Sequence, residues 1–140
     1  MLKITFLGTG TSQGIPVIGS DHPVSFSKDS RDKRLRSSIL IEYDNFSFVI
    51  DCGPDFRYQM LRANLKSIDG ILFTHEHRDH VAGLDDIRGF NLMMKKKVRI
   101  YSSQRVYESI CKDFAYVFAE RRGLKLRMTP FKIIHHNQRG

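Results

Sequence analysis

The chain has 140 residues, 41% of them hydrophobic, which suits one domain with its own core. Its formal charge of +8 divides into −1 over residues 1–93 and +9 over residues 94–140, so any pull on nucleic acid or phosphorylated ligands belongs to the second part, where a solvated lysine-rich face explains it equally. No run of eighteen apolar residues occurs, the start MLKITFLG lacks a signal-peptide plan, and Cys52 and Cys111 make no disulfide framework, so a cytoplasmic protein without a membrane partner is expected.

Leu2–Leu7 (LKITFL) reads as a buried strand, followed by the glycine-rich loop GTGTSQG and a long irregular stretch over 16–36. Ser38–Tyr43 and Phe46–Asp51 flank Asp44-Asn45, a two-residue hairpin signal. DFRYQMLRAN predicts a helix with Asp55 near its start and Phe56, Met60 and Leu61 on one face. Asp69–Phe73 is a short strand running into FTHEHRDHVAG; Gly83–Met93 reads as a helix and Val98–Tyr101 as a strand. Ser103–Glu120 is expected as one helix, and Leu124–Met128 and Phe131–Ile134 as strands. A strand meander followed by strand–helix units predicts a mixed α/β chain, one sheet with covering helices, as a single domain over 1–140.

The cluster His75-Glu76-His77-Arg78-Asp79-His80 carries the chemistry. Residues two apart in extended backbone point the same way, so His75 and His77 can close on one cation from a strand end. Asp79 and His80 follow on the turn into a helix and can approach a second. Imidazole with carboxylate suits Zn²⁺, and also Mn²⁺ or Fe²⁺. The glycines of GTGTSQG fail the spacing of a phosphate loop, so a tight turn bringing backbone N–H groups near the metal pocket is expected instead. RDKRLRSS places four cations in six positions; Arg34 or Arg36 could grip phosphate oxygens, or the loop is merely solvated. Arg88 reads as structural, and Cys52 as a buried small side chain rather than a nucleophile.

These motifs resemble the metallo-β-lactamase-fold hydrolases, whose His-x-His-x-Asp-His signature stands here at His75–His80, with FLGTG, FVIDCG and HVAGL around it. GTSQGIPVIG and RDKRLRSS look most like the phosphoribosyl 1,2-cyclic phosphodiesterases; tRNA 3′-end-processing endonucleases and a pyrroloquinoline-quinone biosynthesis protein are more distant look-alikes. The resemblance covers about residues 1–120 and implies the N-terminal half of an αββα sandwich. It implies two divalent ions, Zn or Mn, with His75 and His77 on one and Asp79 and His80 on the other. Asp79 is also the candidate catalytic group, and Asp51 would orient a ligand histidine through its other ring nitrogen. A strand-end turn cap is the alternative for Asp51.

That family completes its site with a further histidine, a bridging aspartate and a last histidine. After Asp86 this sequence offers only Asp113, within a helix, while His135 and His136 could supply the histidine or belong to a tail. A cysteine-bound structural zinc is not expected, because Gly19–Ser25 holds no cysteine. A half sandwich leaves one sheet face uncovered, so a fragment or truncated frame is expected, or a homodimer hiding that face. The implied activity is a metal-dependent phosphodiesterase using activated hydroxide, with a small cyclic phosphate ester as substrate. RNA is the runner-up substrate, and a non-catalytic remnant the competing reading.

Overall fold

The computed structural model describes residues 1–118, so the strands expected at 124–128 and 131–134, and with them His135 and His136, lie outside the described residues. Five strands form one sheet in the order β1 (Leu2–Gly8), β2 (Ser38–Tyr43), β3 (Phe46–Ile50), β4 (Gly70–Leu72) and β5 (Arg99–Tyr101). The first three pair antiparallel and the last three parallel. Residues 9–37 join β1 to β2, and a tight turn at Asp44-Asn45, where Asp44 takes φ 51°, joins β2 to β3. The parallel pairs need crossovers, and these carry the helices: α1 (Phe56–Arg62) between β3 and β4, then α2 (Arg78–Val81) and α3 (Ile87–Met94) between β4 and β5.

All the crossovers cover one face. Leu40, Val49, Ile71 and Ile100 lie side by side across β2–β5 and are at most 7% exposed. Phe56 and Met60 of α1, Ile87 and Phe90 of α3, and Val106 and Ile110 of α4 (Gln104–Asp113) pack with them in the core. The opposite face is also apolar, in register rows. Phe6, Ile39, Ile50, Leu72 and Tyr101 form one row, Ile4, Ile41 and Phe48 the next, and Leu2, Tyr43 and Phe46 the last. Ile4 is 54% and Phe6 66% exposed, so no element among the described residues closes over this side.

One expectation changes. The helix expected over 103–120 ends at Asp113; Phe114 leaves helical geometry at φ −117°, ψ 36°, and a short α5 (Ala115–Phe118) follows. The break accompanies the insertion of Phe114 into the core at 4% exposure. In the glycine-rich loop the glycines answer to the backbone beside them. A Cβ on Gly8 would fall 2.0 Å from the Arg36 carbonyl oxygen, and Gly10 N–H donates to Leu35 O at 2.7 Å. Those glycines let the loop lie backbone to backbone against residues 34–36.

Candidate metal centre

The site gathers where the parallel strands end. β3 stops at Ile50, and Asp51 turns out of the sheet with φ 60°, donating its N–H to Leu72 O at 2.9 Å. Its side chain is buried at 4% exposure, a costly place for a carboxylate unless its oxygens are satisfied. They are: Oδ1 accepts from Thr74 N–H at 2.8 Å, and Oδ2 from the Thr74 hydroxyl at 2.7 Å. Oδ2 also lies 2.8 Å from His80 Nδ1. Asp51 therefore ties the turn after β4 to the end of β3 and engages Nδ1 of His80.

With Nδ1 held by Asp51, His80 aims Nε2 at Asp79 Oδ2, 3.1 Å away. The His75 ring centre lies 3.9 Å from that of His80 and 4.7 Å from that of His77. The structure thus gathers the four expected ligands at one place, half-buried apart from exposed His77. Their donors do not converge as they stand: among the described residues no three His, Cys, Asp or Glu side chains form a ready ion cage. His75 Nδ1 meets the Thr74 hydroxyl at 2.9 Å, which among the described residues leaves its Nε2 without a hydrogen-bond partner on that side. The donor set itself fits a borderline divalent cation. His80 Nε2 and Asp79 Oδ2 are the atoms that would offer themselves to such a cation.

The loop's path is fixed by backbone contacts the sequence did not advertise. A Cβ on Gly53 would sit 1.9 Å from the Asp79 carbonyl oxygen, and one on Gly83 would sit 2.3 Å from Gly53 O. Cys52 N–H donates to His80 O at 2.9 Å, and Gly83 N–H to Cys52 O at 2.8 Å. Cys52 is fully enclosed; burial first, then the charges of Asp51 and Asp86, push its thiol pKa well up, opposite to what a nucleophile needs.

Glu76 and Arg78, the non-ligands of the motif, escaped the sequence reading, though their alternation with His75 and His77 was a usable signal. Glu76 accepts from Arg105 Nε at 2.9 Å, and this partner holds its carboxyl below the usual range. Arg78 reaches Asp113 at 3.7 Å and covers the Phe114 ring at 5.5 Å. A cleft of 310 Å³ opens beside the loop, lined by His75, His77, Ser103 and Arg105 among others.

The cationic loop divides. Arg36 is half-buried and its guanidinium is taken up: Nε donates to Ser12 O at 2.7 Å and Nη1 to Asp55 at 3.2 Å. Asp55 spends its carboxylate there and not on capping α1. Arg34 is exposed and lines a 490 Å³ cleft at the β1 edge with Gly8, Thr9, Lys33 and Arg62. Arg88 is exposed on α3, away from the histidines, along a 390 Å³ groove shared with α1.

This geometry has counterparts. A crystal structure described as a new diphosphatase from the PhnP family superposes with a TM-score of 0.78 at 41% identity, over 84% of this chain and 49% of that one. The short form of human tRNase Z gives 0.60 at 25% identity, over 86% of this chain and 42% of its own. An octanoyltransferase of Porphyromonas gingivalis is 44% identical over 118 residues, 84% of this chain but 24% of that protein. The chain thus spans about a quarter to a half of the relatives it matches. A family model described as "Beta-lactamase superfamily domain" matches residues 47–138, from the second half of the hairpin through the histidine cluster and beyond. On that match and on the shared sheet, the chain belongs to the metallo-β-lactamase superfamily.

Proposed function

We propose that this chain supplies the histidine-rich half of a metal-dependent phosphodiesterase. The reading rests on one arrangement: buried Asp51 orients His80, His80 faces Asp79 at 3.1 Å, and His75 and His77 stand alongside. His75 and His77 would hold one divalent ion, Zn or Mn, and Asp79 with His80 a second. Ions held there would supply Lewis acidity toward water and toward phosphoryl oxygens. The protein's share is positional. Asp51 keeps a proton on His80 Nδ1 and so leaves Nε2 to face the site. Asp79, half-buried at its edge, would also be the carboxylate that accepts a proton from the attacking water. Remaining donors would come from outside the described residues.

A small cyclic phosphate ester is the substrate class we favour, and the likeness to the PhnP-family diphosphatase supports a compact phosphoester. Arg34, exposed among cations at the β1 edge, is the better placed of the two arginines to meet an anionic substrate. RNA is the second reading, supported by the likeness to tRNase Z and by the net +9 over residues 94–140. A cytosolic setting agrees with two free cysteines, and no described helix is long and apolar enough to cross a membrane.

Metal content and turnover of a bis-aryl phosphate, measured on this chain, test the reading. Turnover abolished by His77→Ala supports it. Less than half an equivalent of bound metal with no turnover leaves the non-catalytic alternative. Cleavage of an RNA substrate that falls steeply with salt would favour RNA over the small ester.

A further inference from the structure

Helix α4 carries its charges in the wrong places for a helix on its own. Arg105 is its second residue and no acidic residue occupies the first turn, while Asp113 is its last. The helix dipole favours anions at the start and cations at the end, so each placement opposes the local preference. Both find their explanation in the histidine loop. Arg105 donates to Glu76, and Asp113 receives Arg78, whose guanidinium also covers the Phe114 ring. Loop and helix therefore meet through two ion pairs of opposite polarity, spread over about 12 Å of helix. The loop members are the residues that alternate with the ligands His75 and His77.

The two pairs are built in opposite senses: Arg78 of the loop is 64% exposed over an Asp113 that is 32% exposed, whereas in the other pair the loop member is the sheltered one. The Glu76 side chain is 20% exposed under an Arg105 that is 83% exposed. Arg105 thus acts as a cover that holds Glu76 down. From the C-terminal side, the Tyr116 hydroxyl donates to Asp85, just past the loop. The segment from Glu76 to Asp85 is tied to α4–α5 at three points, and none of them uses a ligand atom.

We propose that α4 is a positioning clamp for the metal loop: Arg105 and Asp113, acting through Glu76 and Arg78, set the register in which His75 and His77 are presented. The opposed polarity excludes a slipped register, because a shift that brought Glu76 toward Asp113 or Arg78 toward Arg105 would set like charges together. The metal consequence rests on the function proposed above; the clamp itself does not.

The test combines two readouts on the whole chain. Arg105→Glu and Asp113→Arg should each speed amide exchange at Thr74, His80 and Val81 about tenfold, with little change in Tm. They should also weaken Zn²⁺ binding, read by chelator competition, three- to tenfold. Arg105→Glu combined with Glu76→Arg should restore both, since the pair is remade with its signs exchanged. Arg105→Lys keeps the charge and should stay near wild type. Unchanged exchange in Arg105→Glu and Asp113→Arg, or a charge swap that fails to restore it, overturns the clamp. Should the unaltered chain bind no Zn²⁺, the metal reading fails, and the exchange rates still decide for or against the clamp.

Discussion

Asp51 shows how much one side chain can settle. It leaves β3 in left-handed backbone geometry, is 4% exposed, and has Thr74 and His80 on its two oxygens. Asn at this place keeps the size but turns one acceptor into a donor, which sets an N–H against Thr74 or His80. Asp51→Asn should weaken Zn²⁺ binding about 10- to 100-fold, the range typical of lost partners behind metal ligands. Chelator competition measures it, and affinity within twofold of wild type would refute the orienting role. The neighbouring thiol gives a pH prediction. Burial raises the Cys52 pKa in the folded protein, so the folded state keeps a proton that the unfolded chain sheds above about pH 8.5. The associated stability is complete below that pH and declines above it by up to about 1.4 kcal/mol per pH unit. Urea midpoints between pH 8 and 9.5 should fall for the wild type and fall less for Cys52→Ala. Equal slopes would remove the buried thiol from the account.

Among the elements, α3 offers the cleanest test of local physics against packing. Gly89 lies inside Ile87–Met94, and a Cβ built on it meets nothing within 4 Å. Its φ is not in the positive range, so no backbone need for glycine is visible. Gly89→Ala should stabilise the chain by roughly 0.5–1 kcal/mol, seen as a higher urea midpoint. A lower midpoint would mean that the groove between α1 and α3 needs the space. The elements were largely legible in the sequence, because alternation in SILIEY and FSFVI and the Asp44-Asn45 turn each follow from local chemistry. The histidine cluster was legible for the same reason, since it follows directly on an apolar strand. What holds it was not. Arg105 and Asp113 are 29 and 35 residues from their partners Glu76 and Arg78, and long-range pairing leaves no periodic trace. The break at Phe114 was equally hidden, since no Pro or Gly marks it. Gly53 was quoted only as part of DCG; its reason is a backbone crossing 1.9 Å from a virtual Cβ, which exists only in three dimensions.

For the molecule as a whole, the governing feature is a sheet that is apolar on both sides and, among the described residues, covered on one. Phe6, Ile4 and Leu2 stand exposed on the edge strand, in line with Ile39, Ile41 and Tyr43. Contiguous apolar surface of this kind drives association. The chain should therefore elute above monomer size, with the shift growing with concentration. Ile4→Lys with Phe6→Lys should return it to monomer size without lowering Tm, because neither side chain is in the buried core. A wild type that stays monomeric at all concentrations would sink this. The change from antiparallel to parallel pairing at β3 has a consequence in time as well as in space. The β2–β3 hairpin closes through a short local turn, whereas β1, β4 and β5 must be brought in across connections of 29, 19 and 26 residues. Long loop closures are slow, so the β2–β3 hairpin has the kinetic advantage. Asp51 follows directly on that hairpin, and His80 lies in the slower crossover between β4 and β5. The hydrogen bond between them is a seam, and its closing marks the moment at which the chain first has a site to offer.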